Sequence, residues 1–498
     1  MELRDYQTRI VDMVRDKIRE GHKRILAVLP TGGGKTHVMG YITSRCIENG
    51  HKVLALMHRR QLVAQMCDRF ADCGVDTATI MAGTDSSLGK QCQVATIQTY
   101  GRRLQFIDPQ LNPWFIDASV VLVDETHHIL SKTFQNVMAL YKDKIVIGVT
   151  ATPVLASGVG MGEYFDCLVS PVTVQELIDA GHLVPGEYYG PSQVDLSGIS
   201  IVRGDYDLGS LNKVMSQPKI IGDVVQSWLR IAGGLRTMVF AVKVSHSKAL
   251  VQEFRDCGVR AEHLDAHSDD DERSEVLDRF RNGDTQVLCN VGLYTEGSDI
   301  PELECIQLAR PTRSVGLHLQ MIGRGARPYP GKDRFVVIDH GGNVERLGFY
   351  EDEIVWSLDG KKQGYEVKKP RKKERTLITC EYCSSIFTGR RCSQCGNEVQ
   401  HYDKKIEAAD AELVKLRGKS TPKPTKEDKI RWYSMLEYYR RKKGYQHGWS
   451  AHKYREKFSV WPKGMSGVHP QEPDAEVANW IRYLNIRAAK GRQRARQQ

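Results

Sequence analysis

No run of about 18 consecutive apolar residues occurs in the 498-residue chain, so the sequence offers no membrane-spanning helix. The amino-terminal MELRDYQTRIVDMVRDKI is charged and amphipathic, without the basic start and apolar core of a secretory leader. The expectation is a cytoplasmic protein with no membrane partner. Internal repeats are also missing at periods of about 20–50 residues, which excludes solenoids and propellers. Clustered cysteine is scarce: Cys46, Cys67, Cys73, Cys92, Cys167, Cys257, Cys289 and Cys305 are scattered singly, as suits a reducing compartment.

The remaining four cysteines form two pairs, Cys380-x2-Cys383 and Cys392-x2-Cys395. Two such knuckles suffice to close one tetrahedral Zn²⁺ site, and four thiolates leave no open position, so the metal is expected to be structural. A segment this short and this polar has little apolar core, and the metal is expected to fold it.

Charge is spread unevenly. Residues 361–498 hold 33 Lys+Arg against 15 Asp+Glu, whereas residues 1–360 hold 38 against 46, so a net −8 precedes a tail of +18. A tail of that sign suits a polyanion, although it also suits a solvated linker.

Over residues 1–345 short β-branched runs alternate with amphipathic helical stretches, the pattern of parallel sheets with crossover helices. The runs RILAVL (24–29), KVLALM (52–57), VVLVDE (120–125) and KIVIGVT (144–150) are read as buried strands of one α/β unit. TMVFAV (237–242), QVLCNV (286–291), ECIQLA (304–309) and RFVVID (334–339) are read as those of a second, with helices at 245–256 and 271–282. The expected organisation is a first domain over 1–185, a second over 186–350, a charged linker over 351–376, the cysteine module over 377–400, a linker over 401–425 and a basic, aromatic-rich helical region over 426–498.

LPTGGGKT (29–36) follows a strand-like run and opens a helix, the context a phosphate-binding loop requires. Thr31, Gly32, Gly33 and Gly34 would bring backbone N–H groups to phosphate oxygens; Lys35 would contact the β/γ-phosphates of ATP and Thr36 a Mg²⁺ ion. The full pattern begins with glycine, where this chain has Leu29. DETHH (124–128) closes the strand VVLV, so Asp124 sits where ligands of parallel sheets bind and would hold Mg²⁺, while Glu125 would orient and deprotonate the attacking water.

In order along the chain, these elements resemble the motifs of superfamily 2 helicases. DETH resembles their DEAH box with Thr126 in place of alanine, and Leu29 matches a position the superfamily relaxes. Arg4-Asp5-Tyr6-Gln7 resembles the adenine-reading motif, which implies Gln7 as the base contact; Thr150-Ala151-Thr152 resembles the element coupling hydrolysis to nucleic acid. GLYTEGSD (292–299) resembles motif V, implicating Gly297 and Asp299 at the nucleotide. Gln320-x2-Gly323-Arg324-x2-Arg327 resembles motif VI, implying Gln320 at the catalytic site and Arg324 and Arg327 as arginine fingers across the cleft. By the same resemblance Arg59, Arg60, Gln61, Thr96, Thr99 and Thr295 would grip one strand by its phosphates, with little sequence specificity. The resemblance covers about residues 1–345 and implies two tandem RecA-like domains, followed by a zinc-ribbon-like module and a helical basic region.

Over 291–332 and the cysteines that follow, the chain looks like the bacterial RadD-like and phage helicases, which implies DNA, single-stranded or branched, in a bacterial cell or phage-infected host. A replication or repair protein is a possible partner of the C-terminal region. Three activities remain open: a DNA helicase or translocase, an ATPase that remodels or anneals DNA or displaces proteins without unwinding, and a nonenzymatic docking protein on a helicase scaffold. Retention of Lys35, Thr36, Asp124, Glu125, Arg324 and Arg327 speaks against the last.

In residues 427–461, Trp432, Met435, Leu436 and Tyr439 fall at i, i+3, i+4 and i+7, the spacing of a packing face. Aromatics interleaved with Lys and Arg there can equally stack bases.

Overall fold

The computed structural model describes residues 3–359 apart from 84–87, 105–111, 127, 128, 130, 156, 191–195, 203 and 294–299; the stretches 365–367, 377–379, 386–388 and 414–416; and 425–481 apart from 447, 459, 463, 466, 475, 476 and 479. No helix among the described residues is long and apolar enough to cross a membrane.

The first unit is a seven-stranded sheet, all parallel: β1 (Arg24–Val28), β2 (Val53–Met57), β3 (Thr77–Ile80), β4 (Cys92–Thr96), β5 (Val120–Asp124), β6 (Ile145–Thr150) and β7 (Cys167–Val169), in the order β3-β4-β2-β5-β6-β1-β7. Parallel strands are covered on both faces, which is why VLALM and VVLV are apolar without alternation. Leu26, Leu54 and Val121 pack on one side with Tyr100 and Val137 of helices Ile97–Leu104 and Lys132–Leu140. Ile25, Val53 and Ala55 pack on the other with Ile10, Val38 and Val63 of helices Asp5–Arg19, Lys35–Glu48 and Arg60–Asp72.

The second unit begins at β8 (Gly186–Gly190), followed by the antiparallel pair β9 (Ile201–Val202) and β10 (Asp205–Tyr206). Its sheet continues with β11 (Thr237–Phe240), β12 (Ala261–Leu264), β13 (Val287–Asn290), β14 (Cys305–Leu308) and β15 (Phe335–Asp339). Helices at Val244–Asp256 and Asp270–Asn282 lie between strands, as read from the sequence. The second of these is capped by the Asp269 carboxylate, which accepts from the Glu272 N–H at 2.7 Å.

Two stretches read as linkers carry structure instead. β16 (Ile354–Trp356) and β17 (Tyr365–Val367) form an antiparallel pair, and the chain just after β16 returns to the first unit, where Gly160 and Gly162 donate backbone bonds to Asp359 and Leu358 carbonyls at 3.1 and 2.7 Å. A Cβ at Gly162 would stand 2.3 Å from the Leu358 oxygen, so glycine permits this approach. Farther on, β18 (Leu377–Thr379) pairs antiparallel with β19 (Ile386–Thr388), and β20 (Val414–Leu416) joins the second sheet antiparallel to β8, giving the order β12-β13-β11-β14-β15-β8-β20. Charge and proline content hid β20: an edge strand is held by backbone pairing and needs no apolar run.

Helices Lys426–Lys443 and Trp449–Phe458 enclose a separate small core of Trp432, Met435, Leu436, Tyr454, Met465, Val477, Trp480 and Ile481. The spacing of Trp432, Met435 and Leu436 is therefore a packing face. Cys380, Cys383, Cys392 and Cys395 lie outside the described residues, as does the terminus beyond residue 481.

Candidate active site between the two units

β1 runs out into Leu29-Pro30 and the chain turns through residues 31–34 before the helix begins at Lys35. Gly34 (φ +77°) and Gly32 (φ +85°) adopt left-handed backbone, and a Cβ on Gly34 would lie 2.3 Å from the Gln7 side-chain nitrogen. Gln7 and Tyr6 both donate to the Gly33 carbonyl, at 3.3 and 3.2 Å, so the first helix braces the turn. The start of helix Lys35–Glu48 faces this turn, and a helix N-terminus favours negative charge.

Two strands away in the sheet, β5 delivers Asp124 to the same edge. Glu125 follows it with φ +48°, the one non-glycine among the described residues in left-handed backbone. Strain of this kind is retained where the surroundings enforce a side-chain position. The Glu125 N–H donates to Asp124 Oδ1 at 3.0 Å, and Lys35 Nζ donates to Glu125 Oε1 at 2.7 Å. Glu125 is buried and Lys35 half-buried, with side chains 7% and 17% exposed, so the ion pair forms largely out of water.

Across from this wall stands the second unit. Arg324 and Arg327, at the end of helix Val315–Ile322, line the same cleft of about 990 Å³ as Gln7, Thr31, Gly32, Gly34, Lys35, Thr36, Asp124 and Glu125. The units meet closely. A Cβ on Gly323 would fall 2.7 Å from Thr31 Cβ, and the buried Tyr350 hydroxyl donates to the Thr31 carbonyl at 2.9 Å. Val184, just before β8, donates to the Ala326 carbonyl at 2.8 Å.

Gln320 is buried on helix Val315–Ile322 but does not line the cleft, and Gly297 and Asp299 lie outside the described residues. The cleft also contains residues that motif reading passed over, among them His37, Arg69 and His182. Burial lowers the pKa of His37, with Arg69 and Arg4 adding to the effect; burial and then Arg4 do the same to His182. Both imidazoles are therefore inclined to neutrality. His37 lies two residues beyond Lys35 and was legible in principle; His182 comes from the turn between units, where no periodicity marks it.

Of the residues expected on a strand-binding track, Arg59 follows β2 and Thr96 closes β4, neighbouring strands whose register pairs Met57 with Thr96. Thr96, buried at the end of β4, donates to the Thr99 hydroxyl at 2.9 Å, and His58 Nδ1 meets Gln98 Nε2 at 3.2 Å. Arg59 reaches across to the second unit, donating to the Leu293 and Gly292 carbonyls at 2.9 and 3.2 Å. Arg60 is exposed on the first turn of its helix, while the Gln61 side chain and Thr295 lie outside the described set.

Residues 1–155 match the family model for the type III restriction enzyme res subunit, and residues 219–329 the helicase conserved C-terminal domain. A 51.5 kDa protein of a Lactococcus phage is 30% identical over 413 residues, 81% of this chain and 86% of the relative. IRC3 of Saccharomyces cerevisiae, which carries an ATP-dependent helicase name, is 30% identical over 369 residues. The chain belongs to the superfamily 2 helicases. This helicase matches over 68% of its own length but spans only 51% of the yeast protein. A fragment of a type I restriction HsdR subunit from Vibrio vulnificus superposes with TM-score 0.52 at 22% identity, covering 71% of this chain and 69% of that one, a likeness of fold. The helicase is accordingly an ATP-hydrolysing enzyme of two parallel-sheet α/β domains.

Proposed function

We propose that this enzyme hydrolyses ATP in the interdomain cleft to translocate on or unwind DNA in replication, recombination or repair. The observation that carries the reading is the meeting of Lys35, Thr36, Asp124 and Glu125 from one unit with Arg324 and Arg327 from the other in one cleft. DNA as the track is supported by relatives named as a DNA 3'-5' translocase, XPB2 of Sulfurisphaera tokodaii (24% identical, 67% of this chain, 80% of the relative), and by the likeness in fold to a type ISP restriction-modification enzyme bound to DNA (TM-score 0.50, 18% identity, 68% of this chain and 28% of that one).

Lys35 neutralises the β/γ-phosphates and the backbone of residues 31–34 cradles them. A triphosphate entering between Lys35 and Glu125 draws the ammonium away from the carboxylate, which is then free to accept a proton from the attacking water. Thr36 and Asp124 supply a hydroxyl and a carboxylate on one wall, the sparse oxygen set that suits Mg²⁺ shared with phosphates. That ion would neutralise charge building on the phosphoryl oxygens. Arg324 and Arg327 stabilise the same charge from the opposite side, so hydrolysis requires the units to hold together, and their cycle of approach and release is the motion delivered to DNA.

Zn²⁺ at Cys380, Cys383, Cys392 and Cys395 remains part of the reading, supported by their spacing and by the β18–β19 pairing on either side of Cys380-x2-Cys383. The test is ATPase rate with single-stranded DNA, duplex, forked DNA and RNA. Stimulation is expected from single-stranded or forked DNA; a rate indifferent to every nucleic acid would reject the motor.

A further inference from the structure

The C-terminal helical module sorts its aromatics into two groups. Trp432, Tyr454 and Trp480 are 4%, 2% and 5% exposed and fill its core, whereas Tyr445 and Trp461 are 37% and 45% exposed. With the core closed by other side chains, packing does not account for these two, and a large exposed apolar ring is the informative case. They are also not isolated. The Tyr445 ring lies 5.0 Å from that of Trp449, which stacks on Tyr439 at 5.8 Å and 29°. One turn on, His452 meets Trp461 edge-on at 5.2 Å, and the Arg455 guanidinium sits 4.7 Å over the Trp461 ring. Trp449 and His452 are three residues apart on one helix and so share a face. The rings therefore form a ribbon from Tyr445 to Trp461.

Cations border it. Helix Lys426–Lys443 ends in Arg440-Arg441-Lys442-Lys443 before Gly444, whose left-handed backbone (φ +69°) turns the chain toward Tyr445. Arg440 donates to the Tyr445 carbonyl at 3.1 Å, tying the basic helix end to the first ring. Arg441, Lys442, Lys443 and Arg455 are exposed. Aromatic faces bordered by guanidinium and ammonium groups match the two surfaces of an unpaired strand, its bases and its phosphates, and the match is indifferent to sequence. A protein partner would need only one of these surfaces; a duplex hides its base faces.

We propose that this ribbon is a second, single-stranded DNA site, with bases stacking on Tyr445 and Trp461 and phosphates held by Arg441, Lys442 and Arg455. Only the choice of DNA rests on the motor reading. The ribbon would keep hold of the strand while the cleft opens between turnovers.

The test uses the full chain and fluorescence anisotropy with labelled oligo-dT and a duplex of equal length. Tyr445→Ala with Trp461→Ala should weaken oligo-dT binding about tenfold or more, leave duplex binding within about twofold, and leave basal ATPase unchanged. Tyr445→Phe with Trp461→Phe should retain affinity within about threefold, because an aromatic ring stays at both positions. Unchanged oligo-dT affinity in the alanine variant, or equal loss on duplex, would overturn the proposal. Should the alanine variant unfold the module, Lys442→Glu with Arg455→Glu keeps the rings and should lower oligo-dT affinity and flatten its salt dependence; no change there overturns it too. Stimulation of the wild-type ATPase by oligo-dT, measured alongside, separates the two readings: binding without stimulation rejects the motor and spares the ribbon.

Discussion

The Tyr350 hydroxyl donates to the Thr31 carbonyl at 2.9 Å, joining the chain beyond β15 to the turn that precedes helix Lys35–Glu48 of the other unit. Thr31 is thereby held between Tyr350 and Gly323, the residue next to Arg324. Tyr188 belongs to the same support: its hydroxyl donates to Glu351 at 2.7 Å and accepts from the Tyr350 N–H at 3.3 Å. Tyr350→Phe keeps the ring in place and removes one hydrogen bond worth about 0.5–1.5 kcal/mol. On the proposed cleft assignment this bond would align the two walls, so kcat should fall about two- to tenfold with the KM for ATP and the melting temperature near wild type. A purely structural role would lower the melting temperature instead, and an unchanged kcat would show that Tyr350 does not position the turn.

The Lys35–Glu125 ion pair makes opposite demands of two variants. Glu125→Gln should bind ATP and lose about 10²-fold or more in turnover, since an amide cannot accept the proton. Lys35→Ala removes the proposed phosphate contact and the cation beside buried Glu125, so it should lose both nucleotide binding and turnover. Equilibrium binding of a fluorescent ATP analogue with a steady-state ATPase assay distinguishes them; normal hydrolysis by either variant would unseat the cleft assignment.

Where the sequence was legible and where it was not follows from the kind of force involved. The runs VLALM, VVLV and IVIGVT announce parallel strands because both their faces are buried, and the Gly-Lys-Thr and Asp-Glu pairs are readable because backbone geometry and phosphate chemistry restrict those positions to few residue types. Tyr350 was silent: a tyrosine beyond the last core strand carries no periodic signature, and its role exists only once the two units meet. Thr77–Ile80 and Cys92–Thr96 were missed as strands because TATI and CQVAT each carry two polar residues, although Gln93 and Thr96 are buried in the sheet. Among the expected track residues, the Arg59 guanidinium spans to the Gly292 and Leu293 carbonyls, a contact between units that residue order does not announce. In 427–461 the spacing picks out Trp432 as a core residue, whereas Tyr445 and Trp461 fall outside the two helices, where no periodicity sorts them.

Glu437 gives the helical module a distinct acid response. Its carboxylate, nearly buried, accepts from Arg440 and from the Ser450 hydroxyl at 2.8 Å, joining the two helices, and the Arg440 guanidinium holds its pKa down to about 2 from 4.5. A carboxyl whose folded pKa is depressed stabilises the fold above its unfolded pKa, and that contribution fades as pH falls toward the folded value. The melting temperature of Glu437→Gln should therefore lie below wild type at pH 7, with the gap narrowing below about pH 4.5 and closing near pH 2. A gap independent of pH would mean that charge at Glu437 contributes nothing.

Removing the basic tail should weaken DNA binding, but the position of the cut decides whether the result is interpretable. A deletion from residue 361 would strip β17 from β16 and β20 from β8, altering the edge of the second sheet along with the charge. Ending the chain at residue 424 leaves both pairings intact and still removes 17 Lys+Arg against 7 Asp+Glu. Each phosphate neutralised by such cations contributes about 0.7 to the slope of log affinity against log salt on a single strand. The shortened enzyme should therefore bind single-stranded DNA more weakly at low salt, with a slope shallower by at least one such increment, while basal ATPase is retained. Binding measured across a salt series checks this. A parallel downward shift with an unchanged slope would mean that the tail acts through contacts other than its charge, and unchanged affinity would mean that the cleft and its track hold the strand alone.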